Sequence, residues 1–132
     1  MREKHLYEYA VIRVLPRVDR EEFINVGVIV YCAPKNFLRA ECSIDDGRLD
    51  AFAAGADLSE LNDHLGSVCR ICKGGEDAGP IGRLSIGERF RWLTAPRSTI
   101  VQTSAVHTGF TEDPEQTLKE LVTKLVGRSR TD

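Results

Sequence analysis

Two β-rich segments near the start of the chain constrain its fold most strongly. The first runs from Tyr7 to Pro16 and the second from Glu22 to Cys32, with a short charged link between them. Side chains alternate along each segment with the two-residue period of a β-strand. Because the link is short, the two strands are expected to pair as an antiparallel hairpin.

The hairpin pattern also assigns side chains to faces. One face of the second segment is entirely apolar and consists of Ile24, Val26, Val28, Val30 and Cys32. Matching this face to the aliphatic face of the first segment places Arg13 near Asn25 and Tyr9 near Ile29. Both faces of the hairpin are then expected to be largely covered.

Further strands follow the hairpin. Phe37 to Ile44 alternates and predicts a third strand of a meander, but the face that receives Leu38 stays open, because a one-residue slip exchanges the faces. Ser98 to His107 is rich in Thr, Val and Ile, which predicts a fourth strand.

Three helices are predicted from spacing and capping. Apolar residues recur at helical spacing from Asp57 to Cys72. Ser85 fits a capping box that opens a short helix. Asp113, followed by Pro114, marks the start of a C-terminal helix that is expected to end at Gly127. The expected class is α+β, with an antiparallel sheet of about four strands packed against two to three helices.

Length and composition indicate one folded unit. A chain of 132 residues, with 42% hydrophobic and 29% charged residues, is expected to form a single α+β domain over 1–132 with a disordered tail from about 127 to 132. No run approaches the roughly 20 apolar residues of a membrane span. The charged start leads directly into a strand, so neither a signal peptide nor a membrane contact is expected. A cytoplasmic protein with reduced thiols is predicted.

Arginine side chains form two candidate binding clusters. The first cluster lies near one end of the hairpin, where guanidinium groups could bind phosphate or carboxylate, and consists of Arg13, Arg17, Arg20, Asn25 and Gly27. The alternative is ordinary ion pairing with the acids of the link. The second cluster is Arg89, Arg91 and Arg97 around Trp92, which is an arrangement that can hold a nucleotide by charge and stacking.

Structural roles compete with binding in the second cluster as well, since Trp92 could pack on the sheet while the arginines stay in solvent. His107 with Ser98 or Ser104 could supply a base and a nucleophile, but no motif joins them, so His107 is a weak catalytic candidate. The four cysteines, Cys32, Cys42, Cys69 and Cys72, include a Cys-X-X-Cys pair with the spacing of half a zinc site. They lie on apolar faces where buried thiols are common, so no metal and no cofactor is expected.

Several of these segments together resemble a known family. Tyr9–Arg13, Arg20–Ile29, Arg89–Ile100 and Val106–Gly109 are similar to the bacterial family called domain of unknown function 3037, over nearly the whole chain. The resemblance implies a fold and no known reaction. It also implies an association with HipA-like kinases, which suits a small partner or regulator protein. It highlights Arg13, Glu22, Asn25, Gly27, Arg89, Arg91, Trp92, Arg97, Ser98, Thr99, Gln102, His107 and Gly109.

Two functional hypotheses follow. The first is a non-catalytic interaction or regulatory module that binds a protein partner, for which a HipA-like kinase is a candidate, or an anionic small molecule. The alternative is an enzyme that acts on a nucleotide or nucleic acid, with His107 as general base and Arg13 or Arg97 holding phosphate. The net charge of -2 disfavours plain nucleic-acid binding. The expected binding residues are Arg13, Asn25, Arg89, Arg91, Trp92, Arg97, Ser98, Gln102 and His107.

Overall fold

The computed structural model describes residues 3–15, 23–43, 58–97 and 99–126. They form an antiparallel sheet of five strands with helices on both faces, which confirms the predicted α+β class. The strands are β1 (His5–Val14), β2 (Ile24–Cys32), β3 (Phe37–Cys42), β4 (Val101–Thr103) and β5 (His107–Thr111). The helices are α1 (Leu58–Lys73), α2 (Ile86–Leu93) and α3 (Pro114–Leu121), with a 3-10 segment at Glu76–Arg83 and a π turn at Val122–Val126. Within the described ranges, every helix is too short or too polar to cross a membrane.

β1 lies at the centre of the sheet. It pairs with β2 along one edge, and β3 pairs with the far side of β2. The other edge of β1 is shared by β4, which pairs with Ile12–Val14, and β5, which pairs with His5–Tyr9. The single fourth strand expected over Ser98 to His107 is therefore two short strands placed end to end.

Ser104 explains the break between β4 and β5. Three residues, 104 to 106, lie opposite the two residues Ala10 and Val11, so the chain bulges at this point. The Ser104 hydroxyl accepts a hydrogen bond from the Val11 N–H at 2.9 Å, and the Ser104 N–H donates to the Val11 carbonyl. A side chain thus supplies an acceptor at the point where the regular ladder is interrupted.

The predicted register of the hairpin is right at one end and wrong at the other. Arg13 lies opposite Asn25, as expected. Tyr9 lies opposite Val30, and not opposite Ile29. The register therefore shifts by one residue within the hairpin.

A β-bulge in β2 causes this shift. Ile12 lies opposite Gly27 while Arg13 lies opposite Asn25, so Val26 is an extra residue in β2. The strands come close here: a Cβ at Gly27 would lie 2.8 Å from the Glu41 carbonyl oxygen and 2.9 Å from the Cys42 sulfur. Only glycine fits this position without a shift of the neighbouring strand.

The bulge also divides the apolar face that was predicted for β2. Ile24, Val26 and Ile29 pack with α1 and α2 on one side of the sheet. Val28 and Val30 pack with α3 and the π turn on the other side. The prediction that all the residues of the face from Ile24 to Cys32 point the same way is therefore wrong.

Local signals at the helix ends are confirmed. Ser85 and Glu88 form the reciprocal capping box at the start of α2. The Asp113 carboxylate accepts hydrogen bonds from the N–H groups of Glu115 and Gln116, at 3.1 and 3.3 Å. The predicted end of the last helix at Gly127 and the disordered tail lie outside the described residues.

We expect Ser104→Ala to lower the free energy of unfolding by about 1–3 kcal/mol, because it leaves the buried Val11 N–H without an acceptor. Urea denaturation followed by circular dichroism measures the change. Thr108→Ala, an exposed substitution on β5, is the matched control and should cost far less. Equal losses in the two variants would contradict the role assigned to the Ser104 hydroxyl.

Candidate functional site

The Arg91 guanidinium is paired within the protein. It donates to both carboxylate oxygens of Glu8, at 2.8 and 3.0 Å, in a two-pronged ion pair. The hydrogen bond to Glu8 raises the pKa of Arg91. The pair connects α2 to β1 at the surface, so much of the charge on Arg91 is already neutralised.

Arg97 also makes contacts within its own segment. Its guanidinium lies 4.3 Å from the centre of the Trp92 ring and donates to the carbonyl oxygens of Trp92 and of Leu93, the latter at 3.1 Å. Cations are favourable at this end of a helix, where carbonyl groups lack partners. Burial lowers the pKa of Arg97. The predicted cluster around Trp92 is thus real as a set of neighbours, but two of its arginines have partners inside the protein.

Arg13, Asn25 and Gln102 lie side by side on three adjacent strands. The Arg13 guanidinium stacks 4.1 Å from the ring centre of Phe23, and its buried Nε has no hydrogen-bond partner. Asn25 donates to the carbonyl oxygen of Leu125 at 3.1 Å, while its buried Oδ1 has no partner. The prediction that Arg13 and Asn25 are neighbours is confirmed, and the fold adds Gln102 to the row.

His107 is separate from the arginine groups. It is exposed on β5, and its ring centre lies 5.2 Å from that of Tyr9. The Ser104 hydroxyl bonds to backbone groups of Val11 and Ala105, and within the described residues no hydrogen bond joins it to His107. Ser98, the other suggested nucleophile, lies outside the described residues.

Arg89 points in a different direction from Arg91. Residues Ile86, Arg89, Phe90 and Leu93 follow the helical spacing of the buried stripe, so Arg89 belongs to the inner face of α2. Only 8% of Arg89 is exposed, and its Nε has no hydrogen-bond partner. Within the described part of the chain, no carboxylate forms an ion pair with it.

Gly74 makes room for the Arg89 guanidinium. This glycine follows the end of α1 with a φ of 80°, and a Cβ there would lie 2.1 Å from an Arg89 nitrogen. The guanidinium therefore lies against the carboxyl end of α1, where a positive charge is favoured. The glycine that follows α1 therefore also admits the arginine side chain.

Arg89 borders a cavity of about 560 Å³ between β3, the end of α1 and the start of α2. The side chains that matter for its chemistry are Cys69, Cys72 and Lys73 from α1, Arg89 from α2, and Leu38 and Ala40 from β3. None of the described residues that line the cavity carries a carboxylate. The cations Lys73 and Arg89 in its lining favour an anion.

Arg39 also borders the cavity, but its guanidinium is engaged elsewhere. It lies over the Phe37 ring and 3.7 Å from a carboxylate oxygen of Glu115. Glu115 belongs to α3, on the opposite face of the sheet. Arg89 and the exposed Lys73 are therefore the cations that the cavity offers a ligand.

The thiols near the cavity are not arranged as a metal site. No group of three or more metal-ligating side chains occurs among the residues that the structure describes. Cys32 lies apart from the other cysteines and donates to the carbonyl oxygen of Leu6 at 3.5 Å. Cys42 meets the Cys-X-X-Cys segment through Cys69, but Cys32 does not join them, so the set of four cysteines considered for a zinc site is not assembled.

Sequence reasoning found Arg89 but gave it the wrong neighbours. It grouped Arg89 with Arg91 because they are close in sequence, although residues two apart on a helix point in different directions. The helical stripe that contains Phe90 and Leu93 was the signal for a buried Arg89. Lys73 and Cys69 could not be connected to Arg89 from the sequence, because only the tertiary fold brings α1 and α2 together.

Comparison with known proteins extends the family resemblance without giving a chemistry. No curated protein and no solved structure matches the chain. One family model, with the description "Protein of unknown function (DUF3037)", matches residues 9–126 and so includes both Arg13 and Arg89. The match covers nearly the whole chain and confirms the resemblance seen in its motifs. The chain therefore belongs to the DUF3037 family.

Proposed function

We propose that this protein is a non-catalytic interaction or regulatory module that binds a small anionic ligand in the cavity beside Arg89. The observation that carries the proposal is an arginine, Arg89, that is more than nine-tenths buried as a residue and lacks an ion-pair partner among the described residues. Burying an unpaired charge is costly. A carboxylate or phosphate in the cavity would offset that cost by pairing with Arg89.

The chemistry of the cavity suits a ligand with one anionic group and some apolar surface. A guanidinium can bind carboxylate or phosphate through two parallel hydrogen bonds. Leu38 and Ala40 supply apolar wall on the β3 side, and Lys73 supplies a second cation. A volume of about 560 Å³ is within the range of small-molecule sites.

The alternative of an enzyme built on His107 has less support from the arrangement of the residues. His107 lies on β5 and Arg89 beside β3, and three strand spacings of the sheet amount to about 14 Å. Arg13 is separated from Tyr9, the partner of His107, by four residues of β1, or about 13 Å. Arg97, the other arginine suggested for this role, donates to the carbonyl oxygens of Trp92 and Leu93. These contacts and separations give less support to a phosphate held against His107 than to an anion beside Arg89.

A protein partner remains part of the proposal as a prediction. The kinase association comes from the family resemblance, and a ligand-dependent interaction would agree with a regulatory module. Affinity purification of the tagged protein with and without added anion, followed by mass spectrometry, would test this partnership. A HipA-like kinase retained in stoichiometric amount would support it, and its absence under both conditions would count against it.

We expect Arg89→Met to weaken anion binding at least tenfold, because a hydrogen bond to a charged group contributes about 1.5–3 kcal/mol. Isothermal titration calorimetry with citrate, pyrophosphate and inorganic phosphate measures the affinities. Arg91→Met is the matched control on the same helix and should leave binding unchanged. Failure of the unmodified protein to bind any of the three anions, or equal weakening in both variants, would contradict the proposal.

The same two variants should separate binding from stability. We expect Arg89→Met to leave the free energy of unfolding within about 1 kcal/mol of its original value or to raise it, because the lost charge is buried and unpaired. Arg91→Met should lower it by at most about 1 kcal/mol, the usual contribution of a surface ion pair. A loss of about 3 kcal/mol or more in Arg89→Met, measured by urea denaturation, would mean that Arg89 is a structural residue.

A further inference from the structure

Two cysteines from different elements meet beside the cavity. Cys42 is the last residue of β3, and Cys69 lies in the last turns of α1. Cys42 packs, with Leu38 and Ala40, against the core cluster that contains Leu65 and Cys72 of α1, and its side chain interacts with that of Cys69. Cys69 is exposed and lines the cavity, whereas Cys42 is partly buried behind it.

The three thiols in this region differ in acidity. The interaction with Cys42, assisted by Arg70, lowers the pKa of Cys69 to about 6, although burial acts in the opposite direction. The same interaction, together with burial, raises the pKa of Cys42. Burial raises the pKa of Cys72 to about 12. Cys69 is thus the thiol of the three that combines exposure to solvent with a lowered pKa, the two properties of a reactive cysteine.

Positively charged side chains near Cys69 favour substrates that carry a negative charge. Arg70 lies on the same helix as Cys69. Arg89 and Lys73 line the cavity that Cys69 borders. Glu41, the neighbour of Cys42 on β3, is an acidic residue and raises the pKa of Cys42. An anionic substrate that enters the cavity would therefore be held next to the Cys69 sulfur.

We propose that Cys69 and Cys42 form a thiol–disulfide exchange site for anionic low-molecular-weight disulfides, of which glutathione disulfide is the probe. This inference rests on the proposed function, because the cations of the anion cavity select the substrate. Cys69 is the attacking thiol and Cys42 the resolving thiol. Cys72 is excluded from the exchange by its burial.

The exchange is balanced in electrons and protons. The Cys69 thiolate attacks one sulfur of glutathione disulfide, so that a mixed disulfide forms and one glutathione thiolate leaves and takes up a proton. Cys42 then loses its proton and attacks the Cys69 sulfur, which releases the second glutathione. The two protein thiols lose two electrons in total, and glutathione disulfide is reduced to two molecules of glutathione.

The Cys42 thiol loses its proton more easily once Cys69 has formed the mixed disulfide. Its raised pKa comes first from the interaction with the Cys69 thiol and then from burial. Once Cys69 is part of a mixed disulfide, it no longer carries a negative charge. The cause of the raised pKa is then largely removed, and Cys42 can ionise and complete the exchange.

The first test is the reaction of the whole protein with glutathione disulfide or with neutral bis(2-hydroxyethyl) disulfide, followed by peptide mapping. We expect a Cys42–Cys69 disulfide that forms about tenfold faster with glutathione disulfide, an advantage within the range that charged clefts give. This advantage should disappear in Arg89→Met. Cys32→Ser, the matched control at a cysteine away from the cavity, should form the same disulfide at the same rate.

The outcomes distinguish this inference from the proposed function. If citrate or phosphate binds but no Cys42–Cys69 disulfide forms, or Cys69 pairs with Cys72, the exchange site is wrong and the anion cavity stands. If both disulfides react at equal rates, the selection of anionic substrates is wrong. Cys69→Ser should abolish the exchange, whereas Arg91→Met, whose guanidinium pairs with Glu8 outside the cavity, should leave both the exchange rate and the calorimetric affinity for anions unchanged.

The second test uses the pH dependence of Cys69. In a Cys32→Ser, Cys72→Ser background, we expect the rate of its alkylation by iodoacetamide to be half-maximal near pH 6, the value given by the pKa of about 6 for the Cys69 thiol. Cys42→Ala should move this midpoint up towards about 8.5, the pKa of a free cysteine. An unchanged midpoint would show that Cys42 does not stabilise the Cys69 thiolate and would overturn the pairing.

Discussion

Helices pack against both faces of the central hairpin, so β2 must present apolar side chains in both directions. Strict alternation on this strand would place Ile24 and Val26 on the same face as Val28 and Val30. The extra residue Val26 changes this, so that Ile24 and Val26 share the layer of α1 and α2 with Ile29, while Val28 and Val30 join the layer of α3. The same bulge sets Arg13 beside Asn25. Next to the bulge, the absence of a side chain at Gly27 lets β3 approach closely.

Arg89 breaks the apolar pattern on the inner face of α2. A cation in a buried stripe normally requires a compensating carboxylate, and the described residues supply none. What they do supply is space: Gly74 admits the guanidinium, and a cavity opens beside it. The reactive thiol of Cys69 borders the same cavity. Charge and nucleophile are thus combined in one region, although they come from different helices and from residues far apart in sequence.

Local patterns in the sequence predicted most of the helices and strands. They did not predict most of the contacts between residues that are far apart in the chain. Ser85 and Asp113 mark helix starts through bonds to residues two or three positions away, which a sequence can display. The bulge at Val26 cannot be read from the strand propensity of β2, because it is defined by how β2 pairs with β1. The ion pair between Arg91 and Glu8 joins residues 83 positions apart. Arg89 was identified as a site residue, but its neighbours depend on how α1 packs against α2.

The pairing of β1 with strands that come late in the sequence affects how the protein folds during synthesis. β1 is completed by β4 and β5, which lie roughly ninety or more positions later in the sequence, so its second edge stays unpaired until those strands have left the ribosome. Such non-local pairing slows folding, and an open strand edge invites association with other chains. The arrival of β4 and β5 closes the edge of β1 along which the nascent hairpin could otherwise pair with another chain.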